Sequence, residues 1–350
     1  CIGNSAALAL TTGSKNIAIG SNALNSATTF TGQIAIGFEA LKAQHTNGNN
    51  TAVGYQAGLA VTTGASNVLI GEHAGKSITT GYTNVAVGSN CFDMSGNITG
   101  YYNTVVGTGN SRRFSTGLNH TSMGTYASAY TTTASSNSTF GSYAGHQTTT
   151  GASNTAIGGE SLYNNTTGTH NTCVGIVAGN AITTGDKNLC LGYDSGTSGS
   201  PNHITTGDNA IVLGNNSSAT AHIKIDWTVT SDKRDKTDIE PLTMGLDFVN
   251  KLEPITYRWD MRSDYNKDLS ITPDGTHKQQ KLSGGLLAQD VEKVEREYGY
   301  KVEDETAILT DKHKTTGNYG LTYSKFIPVL INAVQELSTQ VDELKQELKT

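Results

Sequence analysis

Proline is scarce in this chain, with 5 in 350 residues, and only 7% of the sequence is aromatic and 35% hydrophobic. That is thin material for one large globular core. No stretch approaches the ~20 apolar residues needed to cross a bilayer, and no basic-then-apolar leader opens the chain, so membrane insertion is not expected. Lysine and arginine nowhere cluster and the net charge is −6. This argues against nucleic acid as a partner, because a phosphate backbone calls for concentrated positive charge. Charge of either sign is nearly missing from the first two thirds: residues 1–230 hold 7 Lys+Arg and 8 Asp+Glu, against 17 and 22 in residues 231–350. Two physically different segments therefore meet near position 230.

Glycine, by contrast, is abundant, with 40 residues, and it is periodic. One glycine recurs every 17 residues from Gly3 through Gly20, Gly37, Gly54 and Gly71 to Gly88. After two inserted residues the period resumes from Gly107 to Gly192, and a longer insertion precedes a last unit ending at Gly214. The residue before each glycine is apolar (Ile19, Ile36, Val53, Ile70), and the one before that is usually small (Ala18, Ala35, Ala52, Ala86). Asparagine stands four before it, as Asn50, Asn67, Asn84, Asn103, Asn137, Asn154, Asn171 and Asn188. Such a unit reads as a short strand with one bulky and one small side, closed by turn residues that tolerate positive φ.

A single unit cannot bury its own face, so the units must stack. The fold class expected is mainly β: a 17-residue-repeat β-solenoid or β-roll rod over residues 1–227, followed by a smaller α+β region ending in a coiled-coil helix. With rungs ~4.8 Å apart, thirteen rungs make a rod on the order of 60 Å long. The bulky Ile/Val side is expected to form inward ladders, and the small Ala/Cys side to make a tighter contact with sister chains. The asparagines read either as a stack of amides satisfying turn backbones or as a polar sugar-binding surface. Tyrosines such as Tyr55, Tyr82, Tyr126, Tyr143 and Tyr163 read either as loop filler or as stacking platforms for sugars. The insertion around Asn97–Tyr102 is a weak candidate for ligand contact.

No metal or cofactor is expected. Cys1, Cys173 and Cys190 occupy the small strand position and Cys91 an alanine position, so all four read as alanine stand-ins and reduced thiols rather than as a disulfide or zinc set. The nine histidines, His120, His146 and His313 among them, show no paired ligand spacing and read as surface or turn residues. Acids in the rod (Glu39, Glu72, Asp93, Glu160, Asp186, Asp194, Asp208, Asp226) fall in differing registers, unlike the paired carboxylates of a glycosidase.

The array, over roughly residues 1–214, resembles the Asn-x-Ala-Ile-Gly head repeats of trimeric autotransporter adhesins and similar repeats in phage fibre shafts. Residues 231–350 resemble the self-cleaving intramolecular chaperone domain at the carboxyl end of phage tail fibres and tailspikes. Four blocks carry that likeness in order: Ser231-Asp232-x-Arg234-x-Lys236 with Ile239, then Leu252-x-Pro254-Ile255-Thr256-Tyr257-Arg258-Trp259, then Gly285-Leu286-Leu287-Ala288-Gln289-Asp290-Val291, and finally Tyr323-Ser324 with Ala333 and Gln335-Glu336-Leu337.

The resemblance implies a cut between Thr230 and Ser231, with Ser231 and Lys236 as a catalytic dyad and Asp232 and Arg234 as motif support. A lysine serves as base only when desolvation or a nearby cation lowers its pKa. Arg234 could supply that cation, while Asp232 and Asp235 oppose it. Positions i and i+5 do not share a helix face, so the segment should be a loop or extended turn. The alternative is a solvated charged linker.

Ile327, Leu330, Val334, Leu337, Val341, Leu344 and Leu348 are spaced 3 and 4 alternately, an a/d seam over three heptads. A monomer's core-facing helix is the alternative, and β-branched residues at a with leucine at d favour dimers in isolated coiled coils. The resemblance favours three chains, with Pro328 in the first helical turn.

The expected organisation is thus a shaft or receptor-binding rod (1–227), a chaperone and self-cleaving region (228–326) and a trimeric coiled coil (327–350). The expected function is that of a virion tail fibre or spike, a homotrimer assembled in the host cytoplasm that attaches to a host glycan or receptor. Cys1-Ile2-Gly3 falls part-way through a repeat, so a preceding region that joins other tail proteins is also expected. A bacterial trimeric adhesin without proteolysis and a polysaccharide-degrading tailspike are the competing readings.

Overall fold

The computed structural model describes residues 1–350 apart from 30, 47, 94, 95, 219, 266–269, 313–316, 350 and the side chain of 263. The chain divides into two compact units, Cys1–Ala219 and Thr220–Thr350.

The first unit is a parallel β-solenoid. Twelve three-residue strands, from β1 (Ile17–Ile19) to β12 (Ile211–Leu213), pair in sequence order in one sheet. Ile2 adds a bridge to Ile19 ahead of β1. Register follows the repeat, with Ala18 opposite Ala35, Ala35 opposite Ala52 and Cys173 opposite Cys190. The rest of each rung is a run of tight turns in which residues two and four beyond the repeat glycine take positive φ, among them Glu39 (55°), Leu41 (50°), His73 (57°) and Leu162 (51°). The repeat glycine is obligatory for a steric reason. Gly71 has φ 131°, and a Cβ there would sit 2.6 Å from the carbonyl oxygen of Gly88 in the next rung.

The direction of the strand faces is the reverse of the expectation. The small residues point into the solenoid: Ala18, Ala35, Ala52, Ala86, Ala156, Cys173 and Cys190 are fully buried. The bulky residues point outward, with Ile17, Ile19, Ile70, Met123, Phe140, Ile157 and Leu191 exposed and Ile34, Ile36, Val53 and Val87 half-buried. The physical reason is the width of the rung. Opposite the strand, turn residues such as Leu24, Leu41, Phe92 and Leu162 fill the interior, leaving room for little more than a methyl on the strand side.

In four rungs where the strand carries something larger, the facing turn position is glycine, and at Val105 it is the small Ser111. Gly75 faces Leu69, and a Cβ on it would lie 3.0 Å from Ile78 Cδ1 and 3.1 Å from Leu69 Cδ1. Gly145 faces Thr139 at 2.9 Å, and Gly179 and Gly196 face Cys173 and Cys190. All four cysteines are free thiols. Cys91, Cys173 and Cys190 are buried at alanine positions, where burial pushes the Cys91 thiol up to about 12.

The asparagine column is internal and structural rather than a sugar-binding surface. Asn50, Asn67, Asn84, Asn103, Asn137, Asn154, Asn171 and Asn188 are buried. Asn84 shows the pattern: its Nδ2 donates to Gly100 O at 2.9 Å and Asn67 Oδ1 at 3.1 Å, while its Oδ1 accepts from Asn103 N at 3.1 Å. Each side chain satisfies backbone groups of the neighbouring rung that would otherwise be orphaned in the interior.

His120 occupies the same column and is fully buried, so the reading of the histidines as surface or turn residues is wrong for it, whereas His146 is a turn residue, though a buried one. The His120 backbone N–H joins the ladder by donating to Asn103 Oδ1 at 2.9 Å, but neither ring nitrogen has a hydrogen-bond partner among the described residues. The ladder is therefore interrupted between His120 and Asn137. Burial pushes the imidazole down to about 4 from 6.5.

The second unit contains α1 (Leu246–Asn250), the antiparallel pair β13 (Ile255–Tyr257) and β14 (Ser283–Gly285), α2 (Ala288–Glu297), the antiparallel pair β15 (Thr310–Lys312) and β16 (Tyr319–Leu321), and α3 (Phe326–Glu347). Met244, Phe248, Val291, Leu309, Phe326 and Val329 form its core. Pro328 lies in the first turn of α3, where its missing N–H costs least.

The orphaned histidine gives the solenoid an acid-sensitive rung. An unfolded His120 takes up a proton below about 6.5, whereas the folded one resists until about 4. Stability supplied by the neutral ring is thus complete above pH 6.5 and is lost as pH falls toward 4, by up to about 3 kcal/mol. His120→Asn, which restores the column, should raise the urea midpoint at neutral pH and flatten its decline between pH 6.5 and 4. An unchanged pH profile in the variant would refute the assignment.

Candidate functional site

Residues 220–231 run as exposed chain in which apolar and polar residues alternate: Ile223, Ile225, Trp227 and Val229 against His222, Lys224, Asp226, Thr228 and Thr230. This period of two is a strand pattern, and among the described residues it pairs with no strand; the motif that follows carries the stronger sequence signal.

That motif folds as one tight turn. Asp232, in extended conformation, caps a single 3-10 turn at Lys233–Asp235 by accepting from Arg234 N at 2.9 Å, and Lys236 leaves the turn extended again. Reversing the chain over three residues brings the ends of the motif together, so that Lys236 Nζ donates to Ser231 Oγ at 2.6 Å. The spacing of five, incompatible with one helix face, is met by this turn.

The competing influences of the neighbouring charges are resolved by geometry. The Asp232 carboxylate takes both Nε (3.1 Å) and an NH2 group (2.6 Å) of Arg234. That pairing holds the Asp232 carboxyl below its ordinary range and Arg234 above its own. Asp232 is thereby engaged with Arg234, and Lys236 faces the serine. Ser231 and Lys236 are both exposed in the single chain, and among the described residues the hydrogen bonds of 231–236 run only within the segment.

The other three motif blocks converge on one another. Ile255 pairs with Gly285 and Tyr257 with Ser283 across β13 and β14. Tyr257 packs edge-on against Trp259 with ring centroids 5.2 Å apart. From the last block, Tyr323 Oη accepts the Leu286 N–H at 3.0 Å. Two acids whose structural role is not legible in the sequence hold this frame. Glu295, fully buried on α2, accepts from Ile308 N at 2.9 Å, Leu309 N at 2.7 Å and Thr310 N at 3.1 Å. Glu336 on α3 accepts the Leu246 N–H at 2.7 Å at the start of α1. Only Glu336 had a sequence signal, its place in the closing block; Glu295 stands just beyond a block and had none.

α3 divides its surface between two tasks. Phe326, Val329 and Ala333 pack into the unit, while Ile327, Leu330, Val334, Leu337, Val341, Leu344 and Leu348 all remain exposed, joined by Ile331. The heptad seam is thus distinct from the face the monomer buries.

On the solenoid, Asp186 and Asp208 act as ladder acids. Asp186 Oδ1 accepts from Thr169 N, which lowers its pKa, and Asp208 Oδ1 accepts from Asp186 N, both at 2.6 Å. The outer tyrosines stack in groups: Phe38 on Tyr55 at 5.3 Å, Tyr82 on Tyr101 at 4.7 Å, and Tyr126 on Tyr143 at 5.6 Å. Ile98, from the inserted segment, is buried and bridges Ile78. Among the described residues no three His, Cys, Asp or Glu side chains converge as metal ligands, and no helix is long and apolar enough to cross a membrane. His313 lies outside the described residues.

Residues 231–315 match the Peptidase_S74 family model, described as the chaperone of endosialidase. A self-cleaving chaperone domain follows the solenoid. No curated protein and no solved structure matches the chain. Family membership of this chaperone domain supports serine-type endopeptidase activity, and its union with a β-solenoid is the architecture of a phage tail fibre or tailspike.

Within the chaperone domain, Glu295→Ala would leave three backbone N–H groups without an acceptor, two of them, Leu309 and Thr310, in the interior. We expect a loss of about 3 kcal/mol in its unfolding free energy, read by denaturant titration of Trp259 fluorescence. Glu295→Gln should recover part of it, and an unaltered midpoint for the alanine variant would remove Glu295 from this role.

Proposed function

We propose that this chain is a tail-fibre or tailspike protein whose chaperone domain assembles three copies and then cuts itself free between Thr230 and Ser231. The observation that carries this reading is the 2.6 Å contact between Lys236 Nζ and Ser231 Oγ, with Asp232 engaged by Arg234. In the reaction, Lys236 takes the hydroxyl proton as Ser231 Oγ attacks the Thr230 carbonyl carbon. The C–N bond breaks as that proton passes to the Ser231 nitrogen, and water then hydrolyses the ester. As a base Lys236 must accept, not donate, and this requires its amine to leave water. In the single chain it is exposed. Burial by sister chains supplies what one chain lacks, which ties the cut to assembly.

Three apolar features that face outward support that assembly: the α3 seam, the alternating segment 223–229, and the outer sheet face of the solenoid, where an unbroken column of Ile, Val, Met, Phe and Leu before the repeat glycines runs beside a second column that Thr and Ser interrupt. Continuous apolar faces of this extent are rare on monomers. The bulky strand side, not the small one, is therefore the contact between chains. In this reading the trimer is built in the host cytoplasm, joins other tail proteins and attaches to a host glycan or receptor. Removal of the tail leaves the rod kinetically trapped.

Denaturing gels and N-terminal sequencing test the cut. The parent should yield a fragment beginning at Ser231, whereas Ser231→Ala and Lys236→Ala should stay intact; normal processing of the lysine variant would remove it from the dyad. For assembly, Val334→Asp with Leu337→Asp should sediment as a monomer and remain uncut. A monomer that still processes at the parent rate would separate cleavage from trimerisation.

A further inference from the structure

The solenoid surface holds one place where its composition changes. Arg112 and Arg113 are the only arginines of the solenoid and the only Lys, Arg, Asp or Glu residues between Asp93 and Glu160. Neither makes an ion pair among the described residues, and Arg112 Nε is buried without a hydrogen-bond partner. They overhang a hollow of about 480 Å³. Its shape has a simple origin. In successive rungs one turn position is Arg112, then Ala129, then His146, so a methyl forms the floor between two large side chains. Rungs lie ~4.8 Å apart, which puts those two side chains about 10 Å from each other.

Aromatic rings form the walls. Tyr130 lies under the Arg113 guanidinium at 4.3 Å. Tyr143 packs on Tyr126 at 5.6 Å and against His146 at 5.1 Å. His146 Nδ1 is 2.9 Å from Tyr126 O, which fixes the ring and leaves Nε2 for a ligand. The hydroxyls of Tyr126, Tyr130 and Tyr143 bond to no described residue.

We infer that this hollow is a binding site for an acidic sugar unit of a surface glycan. The argument is chemical complementarity. Ring faces stack on the C–H faces of a pyranose, phenol groups meet its hydroxyls, and paired guanidiniums recognise a carboxylate or phosphate by forked hydrogen bonds. A duplex or single-stranded nucleic acid would need a longer basic track than two arginines. The inference rests on the attachment reading above and deepens it by naming the site and the charge of the ligand.

The test uses the full chain on an array of uronate-containing, phosphorylated and neutral oligosaccharides. Retention of acidic glycans, weakened by salt and reduced at least tenfold in Arg112→Gln/Arg113→Gln and in Tyr143→Ala, is the expected result, and the carboxylate and phosphate series identify the anion. The variants should self-process and show circular dichroism like the parent, since the residues they change do not form the interior. Acidic-glycan binding that survives the double substitution overturns this site and leaves attachment standing elsewhere on the rod. Retention of neutral glycans alone overturns the charge assignment and with it the site. Retention of no glycan at all overturns both the site and the glycan-attachment reading.

Discussion

The interior of the solenoid has a fixed, narrow width, and most of the structure follows from it. Backbones of adjacent rungs are held at hydrogen-bonding distance, and at the repeat glycines they approach so closely that no Cβ fits. Within that width each rung must divide its volume between a strand residue and the turn residue opposite. Alanine at Ala18, Ala35 or Ala156 goes with leucine at Leu24, Leu41 or Leu162, and larger residues at Leu69, Thr139, Cys173 or Cys190 go with glycine. Close packing makes such exchanges reciprocal, because a methylene too many is as unfavourable as one too few. The same narrowness sends the bulky strand residues outward, where they form the face that the proposed assembly would cover.

The period, the strand position, the stacking and the heptad seam were legible in the sequence because each is a spacing. The direction of the strand faces was not. Alternation tells that two sides differ but not which is interior, and the habit of placing isoleucine inside fails when turn leucines already fill the space. The asparagine column was visible as a pattern, whereas its burial depended on turn geometry that twenty-nine described solenoid residues other than glycine create by taking positive φ. His120 carries its signal in position and not in type: it stands four before Gly124, where most other rungs have asparagine.

At the processing motif the residues were legible and their arrangement was not. Sequence spacing argued against a helix but could not choose between a working dyad and a solvated linker, nor say which neighbour Asp232 would engage. One short turn answers the second question, placing the carboxylate on Arg234 and the ammonium on the serine. For the proposed reaction Lys236 must also leave water, a condition that an exposed segment cannot meet alone. Glu295 belongs to the same lesson in reverse: no motif marked it, yet this buried carboxylate binds three backbone amides and ties α2 to the stretch 308–310.

Near-identical rungs carry a hazard of their own. Chains that match every 17 residues could mate one step out of alignment with little loss of contact, much as a zip can be closed a tooth off. The irregular positions described here, the two added residues before Gly107, the bulky Leu69 between its glycines Gly58 and Gly75, and the histidine in the amide column, break that translational symmetry. In the proposed trimer they act as fiducial marks: only one alignment of the copies would place each irregularity at the same height as its counterparts.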